Sequence, residues 1–140
     1  MEIYWVRHAE PERIESGSGV PADPALTTEG RAQADRLASW LAAEPIDVVL
    51  SSPQRRARET AAPIAAAHGL EVTIDPGIVE FDVHADHYIP VEEIRRTDPA
   101  QWQAMISGDW EVLGGESAAE FRARRSEEHT SELQSHHDLV

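Results

Sequence analysis

Residues 46–53 read IDVVLSSP, and this junction decides the fold. The apolar run 46–50 predicts a short strand that is buried on both faces, as in a parallel sheet. Ser52 is placed to cap a helix, and Pro53 fits its first position, where a missing N–H costs nothing. A helix that leaves a buried strand directly is typical of an α/β domain.

Further elements flank this junction. Residues 1–6 and 70–74 are rich in β-branched or aromatic side chains, which predicts a short strand in each. A helix is predicted to open near Thr27, with Glu29 in its first turn. Its apolar stripe at helical spacing comprises Ala34, Leu37, Ala38 and Leu41. Alternating strands and helices predict an α/β fold with a mostly parallel sheet and right-handed crossovers.

The second half of the chain is less regular. Two short helices are predicted at 91–97 and 99–107, as an insertion over the ligand-binding end of the sheet. Ser117 and Glu120 have the spacing of a capping box, which predicts one more helix with Phe121 as its apolar anchor.

The composition restricts the classes of partner. A formal net charge of -14 leaves no basic stripe for nucleic acid. A few arginines in a cleft can still bind a small phosphorylated substrate. The absence of cysteine excludes disulfides and thiolate catalysis. Without a membrane-spanning run or a signal pattern, we expect a soluble, cytoplasmic protein with no membrane partner; its oligomeric state is left open.

Arg7 and His8 are the first candidate site residues, because they follow the predicted first strand directly. In open α/β sheets, ligands bind at the carboxyl ends of the strands. A single histidine after a strand is, by itself, more often an exposed loop residue. The rest of the chain therefore has to decide between these interpretations.

Four separated stretches together resemble the histidine phosphatase superfamily, also called the phosphoglycerate mutase-like family. They are VRHAE at 6–10, LTTEGRAQA at 26–34, SSPQRRARETA at 51–61, and Glu80 after the third strand. GGES at 114–117 is a weaker fifth match. The resemblance implies a three-layer α/β/α fold with a mostly parallel central sheet, incomplete at its C-terminus.

The resemblance also implies a function, phosphomonoester hydrolysis through a phosphohistidine intermediate on a small phosphorylated substrate. His8 would be the nucleophile and Glu80 the general acid for the leaving oxygen, while Arg7 and Arg56 would bind the phosphate. Neutral imidazole is nucleophilic near neutral pH, which suits this role. No cofactor and no metal ion are expected.

Arg56 is preferred over Arg55 because of its place in the matched motif. It lies four residues after Ser52 and four before Thr60, and a helix turns Arg55 about 100° away from it. Arg55 is interpreted as a solvated helix charge.

Residues 125–140 differ from the rest of the chain. Alanine occurs twenty times up to Ala123 and never afterwards. The segment RSEEHTSELQSHHDLV has no helical or strand period and resembles a translated sequencing adapter. We therefore predict a partial histidine phosphatase-like domain at 1–124 and a non-native, disordered tail at 125–140.

One feature of the family is missing from its expected place. The family has a second phosphate-pocket histidine, in a His-Gly segment after a late strand, and nothing after Ser117 resembles it. His129, His136 and His137 lack a following glycine and are not assigned. The chain is therefore expected to be catalytically impaired.

Three alternatives remain open. The first is a mutase, although Ile14 stands where mutases of this family typically carry asparagine. The second is an inactive fragment. The third is a metal-binding module, whose ligands would be His84, Asp86 and His87 with Glu92 or Glu93.

Overall fold

The computed structural model describes residues 2–15 and 19–124. Helices α1 and α2 alternate with strands β1 and β2, and two short helices, α3 and α4, follow. The bounds are α1 Thr28–Leu41, β1 Val49–Ser51, α2 Arg55–Ala67, β2 Val72–Ile74, α3 Val91–Thr97 and α4 Pro99–Ser107. Single 3₁₀ turns cover Pro76–Ile78 and Trp110–Leu113, and residues 118–124, here α5, are helical.

The two strands are parallel, with Val49 opposite Val72 and Ser51 opposite Ile74. Helix α2 forms the crossover between them, because parallel neighbours cannot be joined by a tight turn. This arrangement confirms the predicted α/β class with a parallel sheet.

The apolar core lies between the sheet and the helices on one of its faces. Its buried residues come from α1, β1 and α2, and they are Ala38, Leu41, Val49, Ala61, Ile64 and Ala65. Ala34 is also buried, and Leu37 packs against the cluster, so the predicted stripe of α1 is confirmed.

Strand β1 is not buried on both faces, and that prediction was wrong. Val49 and Ser51 face the core, whereas Val48 and Leu50 are 63% and 55% exposed. Successive side chains of a strand point to opposite faces, and α2 packs against β1 through one of them. Leu50, on the other face of β1, and Val48, just before the strand, are therefore exposed to solvent.

The predicted first strand was also wrong. Residues 2–10 contain no strand, and Trp5 is 80% exposed. A strand exists only through a ladder with a neighbour, and within the described residues this segment pairs with neither β1 nor β2. The helices position it instead. The Ala9 N–H donates to Thr60 Oγ1 at 2.9 Å, and the Glu10 N–H donates to Gln33 Oε1 at 3.0 Å.

Helix α2 begins later than predicted, with Gln54 rather than Ser52 in the capping position. The Arg55 N–H donates to Asp23 Oδ1, so the acceptor comes from a distant loop. At its far end, α2 contains Pro63 and is followed by Gly69 at φ +67°. The predicted start of α1 near Thr27 is confirmed, since Thr27 is its N-cap and its side chain accepts from the Gly30 N–H.

The second half follows the predicted elements. Helices α3 and α4 occupy the predicted ranges. Ser117 and Glu120 form the reciprocal bonds of a capping box, and Phe121 packs edge-on against Trp110. The predicted tail at 125–140 lies outside the described residues. None of the helices that the structure describes is long and apolar enough to cross a membrane.

Candidate active site

His8 lies in a nearly buried position next to α2, with its side chain 4% exposed. Its Nδ1 is 2.8 Å from the Ala9 carbonyl oxygen. A carbonyl oxygen only accepts, so Nδ1 carries the proton of the neutral ring and Nε2 keeps its lone pair. The bond between the Ala9 N–H and Thr60 fixes this segment to α2. The ring is therefore oriented with Nε2 as the nitrogen that can act as a nucleophile.

Burial lowers the pKa of His8 below its ordinary value, because the charged imidazolium would lose solvation. The negative charge of Glu80 and the Ala9 carbonyl act in the opposite direction, and the positive charges of Arg56 and Arg7 lower the pKa further. The net effect is a histidine that is neutral at physiological pH. Burial is the largest of these causes.

Glu80 lies between His8 and Arg56, in the loop after the 3₁₀ turn Pro76–Ile78. Its Oε1 is 3.5 Å from His8 Nε2, and its Oε2 accepts from Arg56 Nη2 at 3.0 Å. The Glu80 N–H donates to Gln54 Oε1 at 3.1 Å, which ties this loop to the start of α2. The carboxylate is partly exposed and can therefore meet a ligand.

Arg56 is the largest fully buried side chain among the described residues. Its Nη2 donates to Glu80 and to both oxygens of Asp82, while Nε and Nη1 have no hydrogen-bond partner in the described part of the chain. Burial alone would lower the pKa of Arg56, but Asp82 and Glu80 outweigh it and raise the pKa. The site therefore holds a permanent positive charge with two unused donors. Arg55, by contrast, is exposed and pairs with Glu59.

Tyr88 covers Arg56. Its ring centroid is 4.6 Å from the guanidinium carbon, and its hydroxyl oxygen lies 3.5 Å from His8 Nε2. Two backbone hydrogen bonds of 2.9 Å each hold Tyr88 to Ile14. Burial raises the pKa of Tyr88, so the phenol stays protonated.

Sequence reasoning missed both Asp82 and Tyr88 as site residues. Asp82 stands two positions after Glu80, and an acidic pair at that spacing after a strand was an available signal. Tyr88 carried no comparable signal, because its place depends on how the loop folds back over α2. The structure brings His8, Glu80 and Arg56 together and adds these two residues to them.

Arg7 lies at the mouth of the site. It is exposed, and its Nη1 donates to Glu92 Oε1 at 3.1 Å. Arg7 and His8 line two adjoining cavities. The polar cavity, about 420 Å³, is walled by Glu10, Gln33, Glu92, Glu93 and Arg96, among others. The second cavity, about 360 Å³ and here called the apolar cavity, is also lined by Glu80, Asp82, His87 and Tyr88 and by the apolar side chains of Phe81, Ile89, Val91, Ile94, Met105, Trp110 and Leu113.

The proposed metal-binding alternative does not assemble in residues 2–15 and 19–124. His87 Nδ1 is 3.1 Å from Asp86 Oδ1, so these two neighbours pair with each other. No group of three or more histidine, aspartate or glutamate side chains in the described ranges is arranged to hold a metal ion.

Comparison with known proteins gives a consistent picture. The family model of the histidine phosphatase superfamily (branch 1) matches residues 3–139. Phosphoserine phosphatase 1 of Hydrogenobacter thermophilus is 37% identical over 123 residues, which is 85% of this chain and 58% of the relative. "Probable phosphoglycerate mutase GpmB" of Salmonella paratyphi A is 28% identical over 131 residues, 89% of this chain and 59% of the relative.

A solved structure shows the same likeness. The alpha-ribazole phosphatase of Shigella flexneri superimposes with a TM-score of 0.58 at 28% identity, covering 93% of this chain and 67% of that one. The chain spans a little under three fifths of the length of the two curated relatives named above.

Proposed function

The chain belongs to the histidine phosphatase superfamily, and from this premise we propose that it hydrolyses small phosphate monoesters through a phosphohistidine at His8. One observation carries the proposal. The fully buried guanidinium of Arg56 keeps two donors without a partner in the described part of the chain, next to a neutral histidine whose Nε2 carries the lone pair. Buried donors of this kind are costly unless an anion occupies them, and a phosphoryl group has the matching acceptors.

In the first step, His8 Nε2 attacks phosphorus. A P–N bond forms as the bond from phosphorus to the leaving oxygen breaks, and Glu80, in its acid form, gives its proton to that oxygen. Glu80 is now 3.5 Å from Nε2, so an entering phosphoryl group has to separate the two side chains.

In the second step, water attacks the phosphorylated histidine. The Glu80 carboxylate takes a proton from the water, the P–N bond breaks, and inorganic phosphate leaves with His8 neutral again. Dividing the transfer into two displacements lowers the barrier of each.

Arg56 and Arg7 bind the phosphate in this proposal. Arg56 would use Nε and Nη1, the donors that Asp82 and Glu80 leave free. Arg7 would approach from the cavity mouth, exchanging its surface pair with Glu92 for a phosphate oxygen. Both charges stabilise the equatorial oxygens in the transition state.

The substrate class follows from the same features. Names such as phosphoserine phosphatase and alpha-ribazole phosphatase describe relatives that act on small phosphorylated molecules. The net charge of -14 disfavours nucleic acid as a substrate. The proposal includes a cytoplasmic location and a reaction that needs no metal ion.

The test is transfer of radiolabelled phosphate from an aryl phosphate to the protein. We expect an acid-labile, alkali-stable label, which peptide mass spectrometry places on His8. The variant His8→Ala should lose the label. His84→Ala is the matched control, because His84 is exposed and lies outside the proposed machinery, and it should keep the label with or without EDTA. A label on another residue, or no label, would contradict the proposal.

A mutase that uses the same pocket is the second candidate, and the likeness to GpmB favours it. Offering phosphoglycerate together with water as acceptors separates the two functions. Release of inorganic phosphate without transfer to the second hydroxyl supports the hydrolase.

A further inference from the structure

Glu80 distinguishes the two cavities that meet at His8. Both are lined by Arg7 and His8, but Glu80 contributes to the wall of the apolar cavity and not to that of the polar cavity. The group that protonates the leaving oxygen must lie beside that oxygen. The leaving group of a substrate at His8 therefore extends into the apolar cavity.

Apolar side chains make up more than half of the residues that line this cavity, and most of these come from α3, α4 and the 3₁₀ turn Trp110–Leu113; the polar side chains lie at the end near Glu80. Val91 and Ile94 come from α3, Met105 from α4, and Leu113 from the turn. None of these four side chains can donate or accept a conventional hydrogen bond. Hydroxyl or carboxylate groups placed against this part of the wall would lose water without gaining a partner.

Trp110 is held in a fixed orientation at this wall. Its ring stacks on Phe81 with centroids 5.0 Å apart and meets Phe121 edge-on at 5.3 Å. Its Nε1 donates to the Met105 carbonyl oxygen at 3.0 Å, so the one polar atom of the indole is already used. The ring therefore offers the cavity an apolar surface that is preformed.

We propose that the apolar cavity is the leaving-group site and that it selects phosphate monoesters whose leaving group is an apolar aromatic or aliphatic alcohol. The volume of about 360 Å³ accommodates a phosphoryl group together with one ring. This inference rests on the proposed function, because it uses Glu80 as the acid and His8 as the nucleophile.

The same reasoning disfavours sugar phosphates and phosphorylated amino acids as substrates. Their polar groups would find no partner along the apolar part of this wall, whereas Glu92, Glu93 and Arg96 offer partners in the polar cavity. A leaving group there would lie away from Glu80.

Binding of two non-hydrolysable phosphonates to the 140-residue chain tests the selectivity without requiring turnover. Phenylpropylphosphonate carries an apolar ring, and dihydroxybutylphosphonate carries two hydroxyls on a chain of similar length. By calorimetry we expect the phenyl compound to bind about thirtyfold tighter, from burial of its ring. Equal affinities, or tighter binding of the dihydroxy compound, overturn the inference.

Two near-isosteric variants test whether the apolar wall causes the preference for the phenyl compound. Met105→Gln and Val91→Thr each put a polar atom into the apolar wall, and each should reduce the preference for the phenyl compound about fivefold or more. Arg96→Gln, in the polar cavity, is the control and should leave the preference unchanged. If Arg96→Gln changes the preference and the other two do not, the leaving group has been assigned to the wrong cavity.

The failure of this inference is distinguishable from that of the proposed function. If His8 is labelled but both phosphonates bind equally, only the selectivity is wrong. If neither phosphonate nor inorganic phosphate binds and His8 is not labelled, both proposals are wrong.

Discussion

Asp82 accepts two hydrogen bonds from a single nitrogen of Arg56, with Nη2 lying 2.8 Å from Oδ1 and 2.9 Å from Oδ2. In the common bidentate pair, two nitrogens of arginine each donate to one carboxylate oxygen, whereas here a single nitrogen donates to both oxygens. It compensates the buried charge and leaves Nε and Nη1 without a partner among the described residues. Asp82 thus neutralises Arg56 without using the donors that a phosphate needs.

Removing this carboxylate should destabilise the protein. Asp82→Ala leaves the buried guanidinium with Glu80 as its remaining ion-pair partner, and we expect the free energy of unfolding to fall by about 3 kcal/mol. Asp82→Asn keeps an acceptor but removes the charge, so its cost should be smaller. Urea unfolding measures both. The control is Asp47→Ala, an exposed aspartate whose loss should change stability by no more than about 0.5 kcal/mol.

Gly30 should not tolerate alanine, although it lies inside α1. Helix propensity alone would make Gly30→Ala stabilising by about 1 kcal/mol. A Cβ at this position would overlap the backbone carbonyl of Glu10, two residues after His8. We expect the overlap to cost about 2 kcal/mol and to displace the segment that carries His8, which a shift of the His8 NMR signals would show. A net stabilisation would mean that the close approach does not exist.

Neutralising Glu80 should lower the pKa of His8 further. The negative charge of Glu80 raises the pKa of His8, whereas burial and the arginines lower it. Glu80→Gln removes this charge, so the pKa of His8 should fall. Titration of the His8 ring protons by NMR measures the change. Glu29→Gln, on the exposed side of α1, should leave the titration unaltered. A rise in the His8 pKa would contradict this account of the site.

His8 should also make stability depend on pH in one direction. The folded-state pKa lies below the unfolded value of about 6.5, so near pH 7.5 the ring is neutral in both states and contributes no pH dependence. As pH falls through the unfolded value, the unfolded chain binds the proton first, and stability decreases until the folded-state pKa is passed. Urea unfolding should therefore show wild type losing stability relative to His8→Gln on acidification. A constant difference between them over that interval would refute the linkage.

Local signals made the helices predictable. Asp98 and Pro99 open α4, and Gly108 in the left-handed conformation ends it, so its bounds could be read from adjacent residues. The segment 2–10 could not be predicted in this way, because a strand depends on a partner elsewhere in the chain. The start of α2 was missed for a related reason, since Asp23, a distant residue, accepts from the Arg55 N–H.

The same distinction between local motifs and contacts of distant segments applies to the candidate site. Resemblance to a family identified His8, Glu80, Arg7 and Arg56 as candidates, because each belongs to a short matched stretch. It gave no hint of Tyr88, whose ring reaches Arg56 only because its backbone pairs with Ile14. The resemblance also could not distinguish the two cavities. Glu80 lines only the apolar cavity, and this depends on how its loop folds.

The position of Tyr88 has a kinetic consequence. Because Nε and Nη1 of Arg56 are buried, an anion can reach them only after the surrounding side chains have moved, and Tyr88, which packs against the guanidinium, is held by its two backbone bonds to Ile14. Association then includes a unimolecular opening step, so the observed rate constant should level off as the phosphate concentration rises instead of increasing linearly. The plateau would report how fast the loop opens.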